Sequence, residues 1–516
     1  MAKAWIVAVA LIGAMAGTAA AQDAKAIVAN ASRAMGVDGL TSIHYYGVGA
    51  IGNLGQNNNA NQPWPLTAAN DYVRAIDFTQ PASRATWVTY AVPVTGGSAV
   101  LAQNSPQTQQ VITPQNTAWA QQLEIWITPW GFLKGAATNS ASARSQTVNG
   151  RRFQVVTFSP PAKSPSGQPY RVVGYINGEN IVERVQTWLE HPIFGDMLVE
   201  ADYLYYRDNY GLKYPSRIVQ KRAGWPTFEA FILGAHANPA NLQALLSPVE
   251  PAGGRGGAGG RGAAAGAQAG GGRGGAPQGP PPVPAAYSEQ LAPGVFRIGQ
   301  KPAAGTYNAL AIEFADHIVL YEPGPQSIAR AEAVIAEAKR AIPNKPIRYG
   351  VISHHHADHT GGIAAVAAEG VTIVTPEVNR AYLMNALSAP RTLLGDALAR
   401  SGRKPQVEGF KGDRRVFQDG TRTFEVHVVQ GLPHADGNVI GYLPKERILI
   451  YADMFNLPPA DNPVPNPPVV GSGVFADNIE RLQLNVDRIV SVHGLDPNND
   501  GRLTSVKELR ASLGRK

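Results

Sequence analysis

A run of glycine and proline between Pro251 and Pro284, GGRGGAGGRGAAAGAQAGGGRGGAPQGPPPVP, divides this chain and limits what it can fold into. Such sequence carries too little apolar surface to offset the entropy of ordering it, so it reads as a linker, and any core must be built on either side. Its 34 residues (251 to 284) would span about 30–35 Å if fully flexible. Three arginines set among the glycines match RNA-binding composition, but in an exported chain a tether is the better reading. Two halves joined only by a tether are expected to fold separately. Length alone suggests roughly three domains at about 150 residues each, and both halves are long enough to bury a core.

Export is predicted from the first residues, MAKAWIVAVALIGAMAGTAAAQ. Lys3 supplies a positive start, Trp5 to Met15 the apolar stretch, and Ala19-Ala20-Ala21 a small-residue cleavage site before Gln22. The apolar stretch falls short of the roughly 20 residues needed to span a bilayer, so residues 1–21 read as a cleaved signal and the mature chain as periplasmic or secreted. No later run is long enough to span a membrane. The chain contains no cysteine. Any metal site must therefore use His, Asp, Glu or backbone, and any nucleophile must be something other than a thiolate. Net charge is +7, from 45 basic and 38 acidic residues. Spread over this length, that gives mild attraction to anionic surfaces and argues against a nucleic-acid partner.

Residues 22–250 read as a mostly antiparallel β domain. A helix is predicted over Ala24 to Met35 from its apolar spacing. Alternating runs then flank turn signals: YRVVGYI, Asn177-Gly178 and IVERVQTWL, followed by DMLVEADYLYYRD, Asn209-Tyr210-Gly211 and LKYPSRIVQKR. The run GLKYPSRIV with FEAFILGAHANP resembles the curved half-barrel of periplasmic lipoprotein carriers. That resemblance implies a concave sheet able to hold a lipid or peptide, or a lipid or envelope partner; a spacer or docking role is preferred.

Residues 285–516 read as α/β. VFRIGQ, YNALAIEF and HIVLYEPG are strands, Ser327 to Ala341 a helix, IRYGVIS a buried strand, and GGIAAVAAEG a helix stopped by glycine. TFEVHVV, NVIGYL and RILIYAD form a second strand cluster. Strands, helices and strands again fit two sheets packed face to face with helices outside, an αββα sandwich.

Chemistry concentrates in SHHHADHTGG, residues 353–362. His354 and His356 lie two apart, so in extended backbone they project to one side. Asp358 and His359 follow where the chain turns into a helix. Four potential ligands in six residues at the end of a rigid strand make a metal cradle, because a divalent ion needs three or four N/O donors held at about 2 Å. The apolar flanks argue against an exposed histidine run. His-x-His-x-Asp-His is the signature of the metallo-β-lactamase superfamily, and residues 290–512 resemble that family. Three further elements lie downstream: His434 in QGLPHADGNVIGYLP, Asp453 in RILIYADM and His493 in DRIVSVHG.

The resemblance implies that His354, His356 and His434 hold a first metal ion. Asp358, His359 and His493 would hold a second, with Asp453 bridging. Ala452 departs from the glycine usual before this aspartate, so Asp453 either bridges or orients a ligand histidine from outside. The implied activity is that of a zinc hydrolase, with two ions and Asp358 as the proton acceptor, acting on a small-molecule lactone, thioester, ester or β-lactam. The mixed His/carboxylate set is also compatible with iron or manganese. The alternatives are a binding or scaffold protein with a structural metal, or an iron oxygenase or nuclease of the same fold. No G-x-S-x-G occurs, which counts against a serine hydrolase.

His355 reads as packed or supporting. His317 and His427 read as structural, and His44, His191 and His236 form no spaced cluster. DPNNDGRLTSVKE, from Asp496, imitates a calcium loop, but Lys507 stands where the bidentate glutamate belongs, so a surface turn is preferred.

Overall fold

The computed structural model describes residues 24–89, 108–248, 285–300, 307–458, 461–493 and 502–515. The signal segment, the linker and residues 496–501 of the turn from Asp496 lie outside the described residues.

The first half builds one antiparallel sheet of eleven strands. Its order runs from Thr108–Ile112 through Ala82–Val88, Leu66–Asp77, Ser42–Gly52, Trp225–Ala237, Leu212–Arg222, Gly195–Asn209, Val182–His191, Val172–Ile176 and Arg151–Phe158 to Ser142–Val148. The long strand Gly195–Asn209 alternates buried and half-buried positions along most of its length, as a sheet with one covered face requires. The cover is the expected helix Ala24–Met35 together with two unexpected ones, Trp119–Trp126 and Pro129–Thr138. Met35, Trp130 and Phe132 from these helices pack with Tyr72, Val199 and Tyr203 of the sheet. Pro129 opens its helix at a position where a missing N–H costs nothing, and the Thr128 side chain accepts from Gly131 N. The opposite face leaves Tyr46, Val48, Phe231 and Leu233 exposed.

Of the two expected turns, Tyr210 and Gly211 both take positive φ (51° and 86°) and close a tight hairpin. Asn177-Gly178 opens the other turn, between two antiparallel strands as expected. The Asn177 side chain accepts from the backbone of Glu179 and Ile181, which shapes the five-residue loop before Val182–His191.

The second half is the expected αββα sandwich. A seven-stranded sheet runs in the order Ala286–Ala292, Val295–Gln300, Ala309–Glu313, Ile318–Tyr321, Ile347–Val351, Thr372–Pro376 and Gln406–Phe410. A five-stranded sheet runs Arg414–Gln418, Thr423–Val428, Val439–Leu443, Ile448–Tyr451 and Arg488–Ser491. Strand periodicity sorts the core. Leu310, Ile312, Val319 and Tyr321 face Phe424, Val439, Ile448 and Ile450 between the sheets. Their neighbours Ala309, Ala311, Ile318 and Leu320 face outward onto the helices Ile328–Ala341 and Ile363–Ala368. On the other side Ile440, Leu449 and Tyr451 pack under Phe475 and Ile479 of Val470–Arg481. Ser327 caps the first of these helices by accepting from Arg330 N. Among the described residues no helix is long and apolar enough to cross a membrane.

The halves meet through space as well as through the tether. Asp196 accepts from Thr392 N and Oγ1 (3.0 and 2.6 Å) and from Leu393 N (2.9 Å). Arg391 donates to the carbonyls of Pro192 and Ile193 while paired with Asp396 at 2.6 Å. Phe194 meets Tyr382 edge to face, and Trp64 packs into the helix-side core of the second half.

Candidate metal centre

Two parallel strand pairs fix the site. Ile318–Tyr321 lies beside Ile347–Val351, and Ile448–Tyr451 beside Arg488–Ser491. Their carboxyl ends emerge together, which is where open α/β sheets place ligands. Glu322 follows the first of these ends, His354 and His356 the second, Asp453 the third and His493 the fourth; His434 comes from the loop between Thr423–Val428 and Val439–Leu443. Hydrogen bonds from Glu322 N to Val351 O and from Val492 N to Tyr451 O tie the ends in register.

All seven residues expected at the site converge, in two groups. The candidate ligand atoms of His354, His356 and His434 lie within 4.8 Å of one another, as do those of Asp358, His359, Asp453 and His493. His434 Nε2 is 3.2 Å from His354 Nε2, and His493 Nε2 is 3.1 Å from His359 Nε2. Asp453 stands between the groups. Its Oδ1 is 2.8 Å from His493 Nε2, and its Oδ2 lies 2.8 Å from His359, 3.6 Å from His354 and 3.8 Å from His434. Ala452 is fully buried in the core between the sheets, and Asp453 turns into the site with φ of +60°.

Three of the histidines, His354, His356 and His359, spend one nitrogen on the protein and leave the other for the centre. Ser353 Oγ is 3.0 Å from His354 Nδ1, Glu322 Oε2 is 2.8 Å from His359 Nδ1, and the Asn57 carbonyl accepts from His356 Nε2 at 2.9 Å. The atoms left over, His356 Nδ1 and Asp453 Oδ2, are buried without an aligned hydrogen-bond partner. Buried polar atoms without partners are uncommon, and facing imidazole nitrogens repel unless a cation or proton lies between them. The donor set therefore fits divalent ions.

The electrostatics differ between the two groups: against the pull of burial, Asp358 raises His359 and Asp453 raises His493, so the carboxylates favour positive charge at that end of the centre. Burial, reinforced by the neighbouring histidines, holds His354 and His356 well below their ordinary pKa, in the neutral form that can ligate. Burial also lowers His434. Burial would raise Asp453, but His493, His359 and His434 outweigh it and keep the carboxylate ionised. Asp358 is likewise held low, with His359 overcoming desolvation. Burial and the Asp358 charge push Tyr307 far up, so its hydroxyl stays protonated and donates to Asp358 Oδ2 at 2.8 Å. Gln56 Nε2 donates to the other oxygen, Oδ1, at 2.9 Å.

His355 lies outside both groups; its Nε2 meets the Asn57 carbonyl at 2.8 Å and its ring meets Tyr382. His317 and His427 pair with Asp316 and Glu425 away from the centre. Sequence reasoning missed Glu322, Tyr307, Gln56 and Asn57. An acidic residue directly after the apolar run IVLY, here fully buried, was a signal for Glu322. Gln56 and Asn57 sit in QNNNANQ, which reads as an ordinary polar turn.

Residues 303–493 match a family model described as the metallo-beta-lactamase superfamily. The 2,4-dinitroanisole O-demethylase subunit alpha of Nocardioides sp. (strain JS1661) is 27% identical over 165 residues, which is 31% of this chain and 45% of that protein. The chain thus spans less than half the length of that relative. Among solved structures, a metallo-beta-lactamase from Pontibacter korlensis is 21% identical, covering 44% of this chain and 97% of its own, with a TM-score of 0.33. One from Hirschia baltica is 18% identical, covering 45% and 99%, with a TM-score of 0.32.

Proposed function

We propose that this chain, whose C-terminal half has the metallo-β-lactamase fold, is an exported metal-dependent hydrolase that acts on a carbonyl compound: a lactone, thioester, ester or β-lactam. The observation that carries the reading is Asp453 Oδ2, a buried carboxylate oxygen with no aligned donor, facing histidines of both groups. His354, His356 and His434 would hold one ion, Asp358, His359 and His493 the other, with Asp453 shared. N and O donors of this kind suit zinc, and iron or manganese is compatible with them. When bound, the ions supply water activation near neutral pH and Lewis-acid polarisation of the scissile group. The chain's own contribution is placement and proton handling. Gln56 and Tyr307 each fix one oxygen of Asp358, so this carboxylate presents a defined lone pair to an incoming proton. Glu322 orients His359, as the Asn57 carbonyl orients His356.

The test is metal analysis of the purified protein with a hydrolysis panel of nitrocefin, acyl-homoserine lactones, glutathione thioesters and p-nitrophenyl esters. About two ions per chain are expected, and His356→Ala should abolish turnover while the N-terminal half stays folded. Wild-type turnover in that variant would overturn the site. The Nocardioides relative favours a second reading, hydrolytic removal of a methyl group from an aryl methyl ether, in which water is consumed and a phenol and methanol are released. Adding 2,4-dinitroanisole to the panel separates the two. Export rests on residues 1–21, and a mature N-terminus at Gln22 would support it. The packed helix-facing side of the N-terminal sheet favours docking over lipid carriage as that region's role, with the envelope as partner.

A further inference from the structure

The connection between the strands Ser42–Gly52 and Leu66–Asp77 belongs by sequence to the N-terminal sheet, yet its middle lies against the histidine segment of the other half. Ala60 and Trp64 anchor it in the helix-side core of the second half, 4% and 3% exposed. Gly55, at φ of +77°, passes so close to the segment that a Cβ there would come within 2.6 Å of Ala357 Cβ, and its carbonyl accepts from Ala357 N at 2.9 Å. Only glycine combines that backbone angle with that approach. Next in line, Gln56 is 2% exposed and donates to Asp358 Oδ1, and Asn57 is 1% exposed with its carbonyl accepting from His356 Nε2. The Asn57 side chain holds the loop's own shape by donating to the carbonyls of Asn59 and Gln62. Farther along, Asn58 donates to the Pro433 carbonyl and Asn59 to Asp436, on either side of His434.

We propose that residues 53–65 are a working part of the active site supplied by the N-terminal half, with Gln56 the positioning residue for Asp358 and the Asn57 carbonyl the group that fixes the ring of His356. This rests on the hydrolase reading above and adds a component to it. A backbone carbonyl can only accept, so it selects the His356 tautomer protonated on Nε2 and leaves the Nδ1 lone pair facing the centre. The Gln56 amide nitrogen can only donate, so it steadies the Asp358 carboxylate and takes nothing from it. Neither function is available from the metallo-β-lactamase half alone. The N-terminal half is therefore obligatory for the chemistry.

The test uses the full-length chain with zinc as the probe. Affinity is measured by competition with a chelator, and the His356 tautomer by 15N NMR of histidine-labelled, metal-free protein. Gln56→Leu should weaken the ion held by Asp358 about 10–100-fold and leave the other ion in place. Gly55→Ala should lift the loop, weaken the ion held by His356 by a similar factor, and mix the His356 tautomers. Gly150→Ala is the control. It imposes the same backbone strain (φ of +76°) in a turn where a Cβ meets nothing within 4 Å, and should change neither reading. Should the variants fold poorly, hydrogen exchange on the wild type replaces them: zinc should slow exchange in peptides covering residues 53–62. Loop variants that fold and hold both ions at wild-type affinity, or loop peptides indifferent to zinc, would overturn the proposal while the hydrolase reading stands. A wild-type chain that binds no divalent ion, with an active His356→Ala variant, would remove both.

Discussion

Two buried polar clusters, one in each half, are built in opposite ways. In the N-terminal sheet, Arg74 is 5% exposed and fully engaged, with Nε on Tyr72 OH at 2.8 Å, a guanidinium nitrogen on Gln110 at 2.8 Å, and Glu124 3.9 Å away. Glu124 in turn holds Arg222 at 3.1 Å. In the sandwich, buried histidines and carboxylates crowd together at parallel strand ends and leave His356 Nδ1 and Asp453 Oδ2 without aligned partners. One half uses buried charge to hold its own sheet together. The other keeps coordinating atoms in reserve, an arrangement that lowers the stability of the empty fold and makes sense only if something else completes it.

If that contrast is right, deletions in the two clusters should separate stability from function. The largest effect on stability is expected from Arg74→Met. It strands the Tyr72 hydroxyl and weakens the hold on Glu124, at a cost of about 3 kcal/mol, read as a lower denaturation midpoint at unchanged slope. A shift under about 0.5 kcal/mol would place Arg74 among ordinary surface residues and break the contrast on that side. Asp453→Asn should do the reverse, leaving the metal-free midpoint unchanged or raised. With no charge left to offset two cations, one ion should be lost on dialysis and the pH–rate profile should move upward. Two tightly held ions and an unmoved profile would place Asp453 outside the ligand set and leave six ligands.

The smallest effect concerns His191, at the seam between the halves. Burial, with Arg222 and Arg391 nearby, lowers its pKa from 6.5 to about 3, and its Nδ1 accepts from the backbone of Ile193 and Phe194. Between those two values the unfolded chain binds the proton and the folded chain does not. Stability from this group is therefore complete above the unfolded value and falls as pH drops toward the folded one. At pH 5.5, one unit below the unfolded value, the loss is about 1.4 kcal/mol. Midpoints of the wild type and His191→Gln measured from pH 7.5 to 5.5 should converge by that amount; parallel curves would mean that His191 titrates normally.

How far the sequence could be read followed from how local each signal was. The four ligands from His354 to His359 lie within six residues at the end of an apolar strand, so one window contains both the donors and the scaffold that aims them. The sandwich was legible because its strands alternate cleanly between two cores, as Leu310 and Ala311 do. What escaped was long-range. Glu322 meets His359 across 37 positions, and Gln56 meets Asp358 across 302. No periodicity links such pairs, and a polar tract such as QNNNANQ looks alike whether it faces solvent or a metal centre. The Asn177-Gly178 turn was legible for a local reason: an asparagine side chain takes over backbone donors and sets the shape of the loop that follows it.

The seat of Gly55 on Ala357 lies between His356 and Asp358, one residue from a donor of each group. Ion occupancy and the closure of the joint between the halves are thus linked quantities, and linkage is reciprocal: whatever factor the seated loop adds to ion affinity, the ion returns to the joint. A chain starved of metal would hold a looser seam, opening more often and exposing Asn53–Pro65 to proteases. Metal supply would then set how long the molecule survives as well as how fast it turns over.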